Sequence, residues 1–396
     1  MQASTIFDYC HEKNMEEDIM EHIGIVDFCR SPISKAKDGG LNQLSILEIA
    51  TRVVRALLDR NPAVPRDLIE VVAAGCAFPE AEAGFNIGRC ISVKAGLPAE
   101  VAGLTLNQFC GSSQTTVALI ADMLAVGKGK IGIAVGLEHM KHIPMGGFNP
   151  LFDKELSEMN FYIGMGDTAE NLAKELQISR EDQEAYSMYS HEKALAAWAS
   201  GAFDREVIPM SLPDGSTLIK DECPMPPNPE KMRSLSPAFD IKGSVTAATS
   251  SPVTSGAGAA LIMTEGMAKE LGLSLRATIV TTAMAGCDWT RMGMGPLPAT
   301  EKALTRAKMK MDDFDVIELN EAFAAQSLYV IRKGGWDERK INLLGGAIAL
   351  GHPLGMSGVR IVGTAITALE QTGGTFALAT MCVGGGQGVS TILKRG

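Results

Sequence analysis

The sequence predicts an α/β fold of two similar halves with an inserted region. Apolar runs of strand length alternate with amphipathic helical patterns along most of the chain. Two distant segments share one plan of small residues, helix, glycine turn and buried strand. A stretch rich in glycine and proline interrupts the alternation between residues 141 and 247. These three features together favour a duplicated α/β architecture.

The alternation begins at residue 23. The run IGIVDFCRSPI predicts a strand, LSILEIATRVVRALLDR predicts an amphipathic helix, and LIEVVAAGCA predicts the next strand. Beyond the inserted region, TIVTTAMAGC, VIELN and TFALATMC predict further strands between helices. The two segments with a common plan are residues 112–135 and 357–380. Their similarity is one of pattern, and it favours an internal duplication.

The inserted region is predicted to be an insertion and not a separate fold. It opens with MGGFNPLFDKELSEMNFYIGMGDTAEN and closes with the proline-rich DECPMPPNPEKMRSLSPAF. Between these two stretches, the pattern predicts a long helix over about 167–201.

Composition excludes several classes of function. The chain has 396 residues, 36 Lys and Arg, 46 Asp and Glu and a formal net charge of -10, which disfavours nucleic acid or an anionic membrane as the main partner. No run of about 18 apolar residues and no secretion signal is evident, so we expect a cytoplasmic protein. Residues 1–22 carry six acidic residues against one lysine and are predicted to be an acidic N-terminal extension. The eight cysteines form no CxxC pair, which predicts free thiols.

Cys110 is a candidate nucleophile. It follows the run LTLNQF and precedes a helical pattern that starts near Ser112. At such a junction the thiol faces the positive end of the helix, which predicts a lowered pKa and a thiolate. The peptide N–H of Cys110 could also help to bind an oxyanion. A small buried hydrophobic residue is the plainer alternative.

His352 is the candidate base. It lies between Gly351 and Pro353 in NLLGGAIALGHPLGMSGVR, where a sharp turn before a helix can hold the ring rigidly. The pair His139 and His142 has a spacing that fits a metal site, but the sequence shows no third ligand, so no metal is predicted.

Two further strand ends carry polar or reactive groups. Cys382 ends the strand in LATMCVGGGQG, and the N–H of Gly384 in the following glycine run could donate to an oxyanion. Asn320 ends an apolar strand in ELNEAFAAQSL, and Glu321 follows it. Either of these two residues could instead be a simple helix cap.

These segments resemble the signature motifs of the thiolase family. NEAFA, GGAIALGHPLGMSGVRI, CVGGGQG and NQFCGSSQ occur in the family order, and with MGDTAENLA, SREDQEAYSMYSHEKA and MGMGPLPA the resemblance extends from about residue 23 to 396. It implies a five-layer αβαβα fold. The implied halves are residues 23–140 with 248–275 and residues 276–396, and residues 141–247 would be the loop domain that binds coenzyme A.

The resemblance also implies a role for each site residue. Cys110 would be the acylated nucleophile, His352 its activator and Cys382 the acid/base at the α-carbon. Asn320, through a water, would form one oxyanion hole with His352. The N–H groups of Cys110 and Gly384 would form the other. Ser251 and Met165 would contact the pantetheine arm of CoA.

The implied reaction is thiolysis of a 3-ketoacyl-CoA, with CoA as substrate and no cofactor. A homodimer or tetramer is implied, and a hydratase/dehydrogenase α subunit is a possible partner. Three alternatives stay open: a biosynthetic acetyl-CoA acetyltransferase, a ketoacyl synthase, which is disfavoured by Cys382 and Asn320, and a non-catalytic acyl-CoA-binding scaffold. Thr249 and Ser255 depart from the family pattern, where asparagine and aspartate are usual.

Overall fold

The computed structural model describes residues 21–396. The predicted acidic extension therefore lies outside the described residues, apart from Glu21 and His22. The strands are β1 Ile23–Arg30, β2 Ser34–Lys35, β3 Ile69–Gly75, β4 Ala102–Leu106, β5 Ile131–His139, β6 Met210–Ser211, β7 Thr217–Leu218, β8 Thr254–Thr264, β9 Ala277–Gly286, β10 Val316–Leu319, β11 Phe376–Val383 and β12 Gln387–Arg395. The α-helices are α1 Ile46–Arg60, α2 Ile87–Lys94, α3 Ser112–Ala125, α4 Lys154–Glu158, α5 Met165–Glu175, α6 Arg180–Ala199, α7 Pro229–Ser234, α8 Glu265–Glu270, α9 Pro296–Ala307, α10 Ala324–Gly334, α11 Ala347–Leu350 and α12 Leu354–Thr372.

The main sheet repeats one topology twice. The first half has the order β1-β8-β5-β3-β4, with antiparallel pairs up to β5 and parallel pairs beyond it. The second half has the order β9-β12-β11-β10 with the same sequence of antiparallel and parallel pairs, and a parallel bridge from Ile317 to Ile341 stands where a fifth strand would lie. A short antiparallel pairing of β1 with β9 joins the two halves. The predicted duplication is confirmed.

The elements form five layers, in agreement with the predicted fold. Helices α1 and α2 cover the outer face of the first half-sheet, and α9 and α10 cover the outer face of the second. Helices α3 and α12 pack against each other between the two half-sheets. Every residue of 354–369 in α12 is buried, which is the pattern of a helix with no solvent-exposed face. The two equivalent helices therefore form the middle layer.

The inserted region contains helices α4 to α7 and the short strands β6 and β7, but it lacks the predicted single helix over 167–201. Helix α5 ends at Glu175 and α6 begins at Arg180. Gln177 between them adopts a φ of 51°, and the Ser179 side chain accepts a hydrogen bond from the Asp182 N–H as an N-cap. The local capping chemistry therefore divides the helical stretch.

A buried ion cluster fastens the inserted region to the first half. Arg30 on β1 donates two hydrogen bonds to the carboxylate of Asp221, at 2.7 and 3.0 Å, and a third to Glu206 at 3.2 Å. All three side chains are buried. Removing one member would leave a charge without its partner in the interior, so the cluster fixes where the insertion meets β1. Among the described residues, no helix is long and apolar enough to cross a membrane.

Candidate active site

Cys110 lies in the short turn Phe109–Gly111, directly before α3 in the middle layer. The turn is strained and tightly bonded, since Phe109 has a φ of 44°, which is uncommon for a residue other than glycine. The Gln108 N–H donates to the Ser112 hydroxyl at 2.9 Å, and that hydroxyl donates to the Phe109 carbonyl at 2.6 Å. The sulfur is therefore presented from a fixed backbone.

Two peptide N–H groups face the Cys110 sulfur, those of Gly384 and of Cys110 itself. Gly384 lies in the turn between β11 and β12. A methyl group added to it would lie 3.3 Å from the Phe109 ring, which shows how closely the two loops approach. The two N–H groups predicted to bind an oxyanion are thus brought together at the nucleophile.

The predicted lowering of the Cys110 pKa is wrong. Burial raises its pKa to about 12, although both peptide N–H groups act in the opposite direction. The sequence argument considered the helix terminus and did not consider desolvation, which disfavours the charged thiolate. At neutral pH Cys110 is therefore a thiol that needs a base before it can attack.

His352 is the candidate for that base, and it directly precedes Pro353 and helix α12, which contacts the turn that carries Cys110. The Ser357 hydroxyl donates to the Pro353 carbonyl at 2.9 Å, so its oxygen accepts the Nδ1–H of His352 at 2.5 Å. This assigns the ring proton to Nδ1 and leaves Nε2 as the acceptor nitrogen. The His352 peptide N–H donates to Thr254 at 3.0 Å and fixes the backbone. Burial and the cation of Arg360 lower the His352 pKa to about 3, so the imidazole is neutral.

Asn320 meets this imidazole directly, since its Nδ2 lies 3.3 Å from His352 Nε2. Its peptide N–H donates to the Thr380 carbonyl at 3.0 Å, which places it beside the strand that ends in Cys382. The alternative in which Asn320 or Glu321 caps a helix is wrong, because α10 begins only at Ala324.

Cys382 is buried at the end of β11, and its pKa is raised well above the ordinary value. Burial is the main cause, followed by the neighbouring sulfurs of Cys110 and Cys287. Cys382 is thus close to Cys110, the candidate nucleophile, and holds its proton firmly. A buried thiol next to a second thiol can act as an acid towards a strong base such as a carbanion.

Two glutamates brace the loops that carry these groups. Glu321 accepts hydrogen bonds from the Ser190 hydroxyl at 2.7 Å, from Asn342 at 2.8 Å and from the Ile348 N–H at 3.1 Å. It therefore connects α6 of the inserted region with the segment that leads to His352.

Glu138 braces the opposite side. Its carboxylate accepts the N–H of Ala77 at 2.8 Å, of Phe78 at 3.3 Å and of Gly355 at 2.9 Å. Burial raises its pKa although these N–H groups oppose the shift. It therefore joins the end of the first half-sheet to the start of α12.

The two residues predicted to contact pantetheine lie beside this centre. The Ser251 N–H donates to the Ala322 carbonyl at 3.0 Å, two residues beyond Asn320. Met165 packs against the apolar cluster that contains Cys382. Next to Ser251 opens a cavity of about 290 Å³ with mostly apolar walls, lined in part by Lys35, Lys231, Met232, Ala247, Ser250 and Pro252.

The loop that departs from the family pattern has its own support. The Thr246 N–H donates to the Thr249 hydroxyl at 2.9 Å, and Ser255 lies 3.2 Å from His139 Nδ1.

The pair His139 and His142 acquires Glu82 as a third neighbour, which the sequence did not show. The rings stack at 3.7 Å, and His139 Nδ1 accepts the His142 N–H at 3.2 Å, so its proton is on Nε2, which faces the Leu41 carbonyl at 3.4 Å. Both nitrogens of His139 are thus engaged, and the arrangement does not favour metal binding.

Sequence reasoning missed Ser357, Glu138, Glu318 and Arg360, and named Glu321 only as a possible cap. One signal was available for the charged residues. Glu138 and Glu318 interrupt apolar strands, and Arg360 interrupts an apolar helix, so each had to be buried with a partner.

The matches to known families agree with this fold. The family model for the thiolase N-terminal domain matches residues 23–266, and that for the thiolase C-terminal domain matches residues 273–395. The chain belongs to the thiolase family.

Within the family, the chain is similar to proteins named 3-ketoacyl-CoA thiolase. The protein of Aliivibrio salmonicida is 45% identical over 392 residues, covering 95% of this chain and 100% of the relative. That of Psychrobacter arcticus is 44% identical over 382 residues, covering 94% and 97%. Human mitochondrial 3-ketoacyl-CoA thiolase has a similar crystal structure, with a TM-score of 0.88, 32% identity and coverage of 95% and 100%. Its complex with CoA gives a TM-score of 0.89 at 32% identity, covering 95% and 98%.

Proposed function

We infer that this chain is an acyltransferase that cleaves 3-ketoacyl-CoA with CoA, giving acetyl-CoA and a shortened acyl-CoA. The observation that carries the proposal is the position of Cys110 beside the Cys382 thiol and the Gly384 N–H, with the neutral imidazole of His352 in the turn before the adjoining helix α12. The names of the relatives support the same substrate class.

The first half-reaction uses each group once. His352 Nε2 takes the proton of Cys110, and the thiolate attacks the C3 carbonyl of the ketoacyl chain. The oxyanion at C3 is stabilised by the N–H groups of Cys110 and Gly384. When the C2–C3 bond breaks, its electron pair stays on C2, and Cys382 protonates this carbon to release acetyl-CoA. Asn320 and His352 stabilise the charge on the thioester oxygen of the leaving enolate.

The second half-reaction restores the enzyme. The Cys382 thiolate takes the proton of the incoming CoA thiol, and the CoA sulfur attacks the acyl group on Cys110. Acyl-CoA leaves, and His352 returns the proton to the Cys110 sulfur. Proton and charge balance close over the cycle without a metal or a redox cofactor.

Condensation by a biosynthetic acetyl-CoA acetyltransferase uses the same steps in reverse. A non-catalytic scaffold is disfavoured, because such a protein has no need of two thiols and a base in one buried site. The direct test is the loss of absorbance of the magnesium enolate of 3-ketoacyl-CoA after CoA is added. We expect decay with chains from C4 to C16, and absence of decay at every length would refute thiolysis.

Two cysteine variants test the division of labour. Cys382→Ser should still take an acetyl group from acetyl-CoA onto the Cys110 peptide, seen as added mass, because this step needs no carbanion. Its thiolysis should fall by about 10²-fold or more. Cys110→Ser should lose both activities. Near-normal turnover of Cys382→Ser would assign the proton transfer to another group.

We propose that CoA enters along the loop domain and that its nucleotide occupies the cavity beside Ser251. Lys231 and Lys35 line this cavity and would attract the phosphates. Lys231→Ala should raise the KM for CoA with little change in kcat, whereas Lys154→Ala, on an exposed part of the same region, should change neither. Equal KM values for the two variants would place the nucleotide elsewhere.

We propose at least a homodimer. Strand β4 forms an edge of the main sheet and is only partly buried, so a second copy can extend the sheet there. Light scattering should give at least twice the 42.0 kDa of one chain, and an active monomer at low concentration would contradict this. A hydratase/dehydrogenase partner and a cytoplasmic location stay predictions.

A further inference from the structure

A buried ion pair that the proposed reaction does not use lies behind Asn320 and His352. Arg360 Nη1 donates to Glu318 Oε2 at 3.0 Å, and the two side chains are 1% and 0% exposed. Burying two charges is costly, and an apolar pair of similar volume would stabilise the fold as well or better. The pair therefore requires an explanation other than stability.

The position of the Glu318–Arg360 pair in the fold supplies such an explanation. Glu318 is on β10, two residues before Asn320, so both side chains leave the strand on the same side. Arg360 is on α12, three residues after Ser357, which holds the His352 ring. The ion pair thus connects the strand that presents the amide to the helix that presents the imidazole.

The contact at the other end of this connection is long. Burial is the main cause of the low His352 pKa, and the cation of Arg360 acts in the same direction. The contact between Asn320 Nδ2 and His352 Nε2 is already 3.3 Å, so a small retreat of either element would break it.

Helix α12 is also bonded to the inserted region. The Thr364 hydroxyl, one turn beyond Arg360 on α12, donates to Glu206 at 3.3 Å. Among residues 21–396, Arg360 Nη2, Glu318 Oε1 and Glu206 Oε1 have no hydrogen-bond partner. The bond to Glu318 is therefore the hydrogen bond through which the Arg360 side chain joins α12 to β10, where the two elements also pack against each other.

We propose that Glu318 and Arg360 are positioning residues of the thiolase reaction, which hold the Asn320 amide against the His352 imidazole. The proposal rests on the roles inferred above for Asn320 and His352. Neither charged residue touches the substrate, and each acts through its neighbour.

The test compares a neutralised pair with a matched control. In Glu318→Gln with Arg360→Met, both charges are removed together, so no unpaired charge is left to unfold the protein. We expect a folded enzyme with kcat for thiolysis about 10- to 100-fold lower and KM for CoA within about twofold of the wild type, because misplacement by less than 1 Å affects the reaction and not CoA binding. Arg360→Lys, which keeps the charge, should recover part of the lost kcat.

The control is Arg276→Met with Glu370→Gln. This pair is bonded at 2.7 Å, with Arg276 buried and the Glu370 side chain 32% exposed, and it lies at the end of β9 opposite to Cys287. The Arg276→Met, Glu370→Gln double variant should be less stable than the wild type but should keep the wild-type kcat. Wild-type kcat in the Glu318 and Arg360 double variant, or an equal loss in the control, would overturn the proposal. Full activity of His352→Ala or Asn320→Ala would instead overturn the proposed site, so the two failures are distinguishable.

Discussion

Replacing Ser357 with alanine should slow the acylation of Cys110, because His352 would no longer be held in the tautomer that carries its proton on Nδ1. The Ser357 oxygen accepts the Nδ1–H at 2.5 Å while its own proton is donated to Pro353. The His352 side chain is only 4% exposed, so water cannot easily replace the missing acceptor. In Ser357→Ala the Nδ1–H is left without a partner.

The magnitude follows from the cost of that unpaired donor. A buried N–H without an acceptor costs about 1–3 kcal/mol, and the ring can avoid the cost by moving its proton to Nε2. In that tautomer the Nε2 lone pair is lost, and the base cannot take the Cys110 proton. At about 1.4 kcal/mol per tenfold in rate, acylation of Cys110 should slow by about 5- to 150-fold.

The assay is single-turnover transfer of the acetyl group from acetyl-CoA, followed by the mass of the protein. The matched control is Thr367→Val, which removes a hydroxyl from the same helix and lies more than two turns further along. Nitrogen NMR of the histidine ring reports the tautomer independently. Equal acylation rates in Ser357→Ala and Thr367→Val, with Nε2 still unprotonated in both, would refute the reasoning.

Three other measurements test the electrostatics and the packing. Because the Cys110 pKa is raised to about 12, alkylation of this thiol in the free enzyme should rise about tenfold per pH unit from about pH 6 to about pH 9. A plateau near neutral pH would contradict this. Arg30→Met should lower the free energy of unfolding in urea by about 3–5 kcal/mol, because Asp221 and Glu206 lose their cationic partner. A loss below about 1 kcal/mol would show that water solvates the two carboxylates. Gly355→Ala should reduce both kcat and thermal stability, because the added methyl group would lie 2.7 Å from Cys76 Cα. An unchanged thermal midpoint would show that the loop can move to accommodate the methyl group.

The sequence was sufficient for features that depend on neighbours along the chain. Strand and helix periods predicted the alternation from residue 23, and the common pattern of residues 112–135 and 357–380 predicted the two middle helices. Cys110 and His352 could also be predicted as candidates because each lies in a turn between regular elements, and Cys382 because it ends a strand before a run of glycines.

The features that were missed depend on partners far apart in sequence. Glu138 binds Gly355, and Glu321 binds Ser190, so neither role is readable from a local pattern. The Cys110 pKa was assigned the wrong direction for the same reason. The helix that follows the thiol is visible in the sequence, whereas the burial that governs its pKa comes from the second half of the chain.

The shared middle layer has a consequence for synthesis of the protein. The first half-sheet presents an apolar face to α12, and no part of α12 exists until translation has passed residue 353. A nascent chain that contains all of the first half therefore carries an uncovered sheet face until late in its own production. A product truncated before α12 would be an aggregation-prone fragment and not a smaller enzyme. The ribosome-bound chain is consequently a natural client for holding chaperones, and slow codons after residue 275 would prolong that exposure without any benefit to folding.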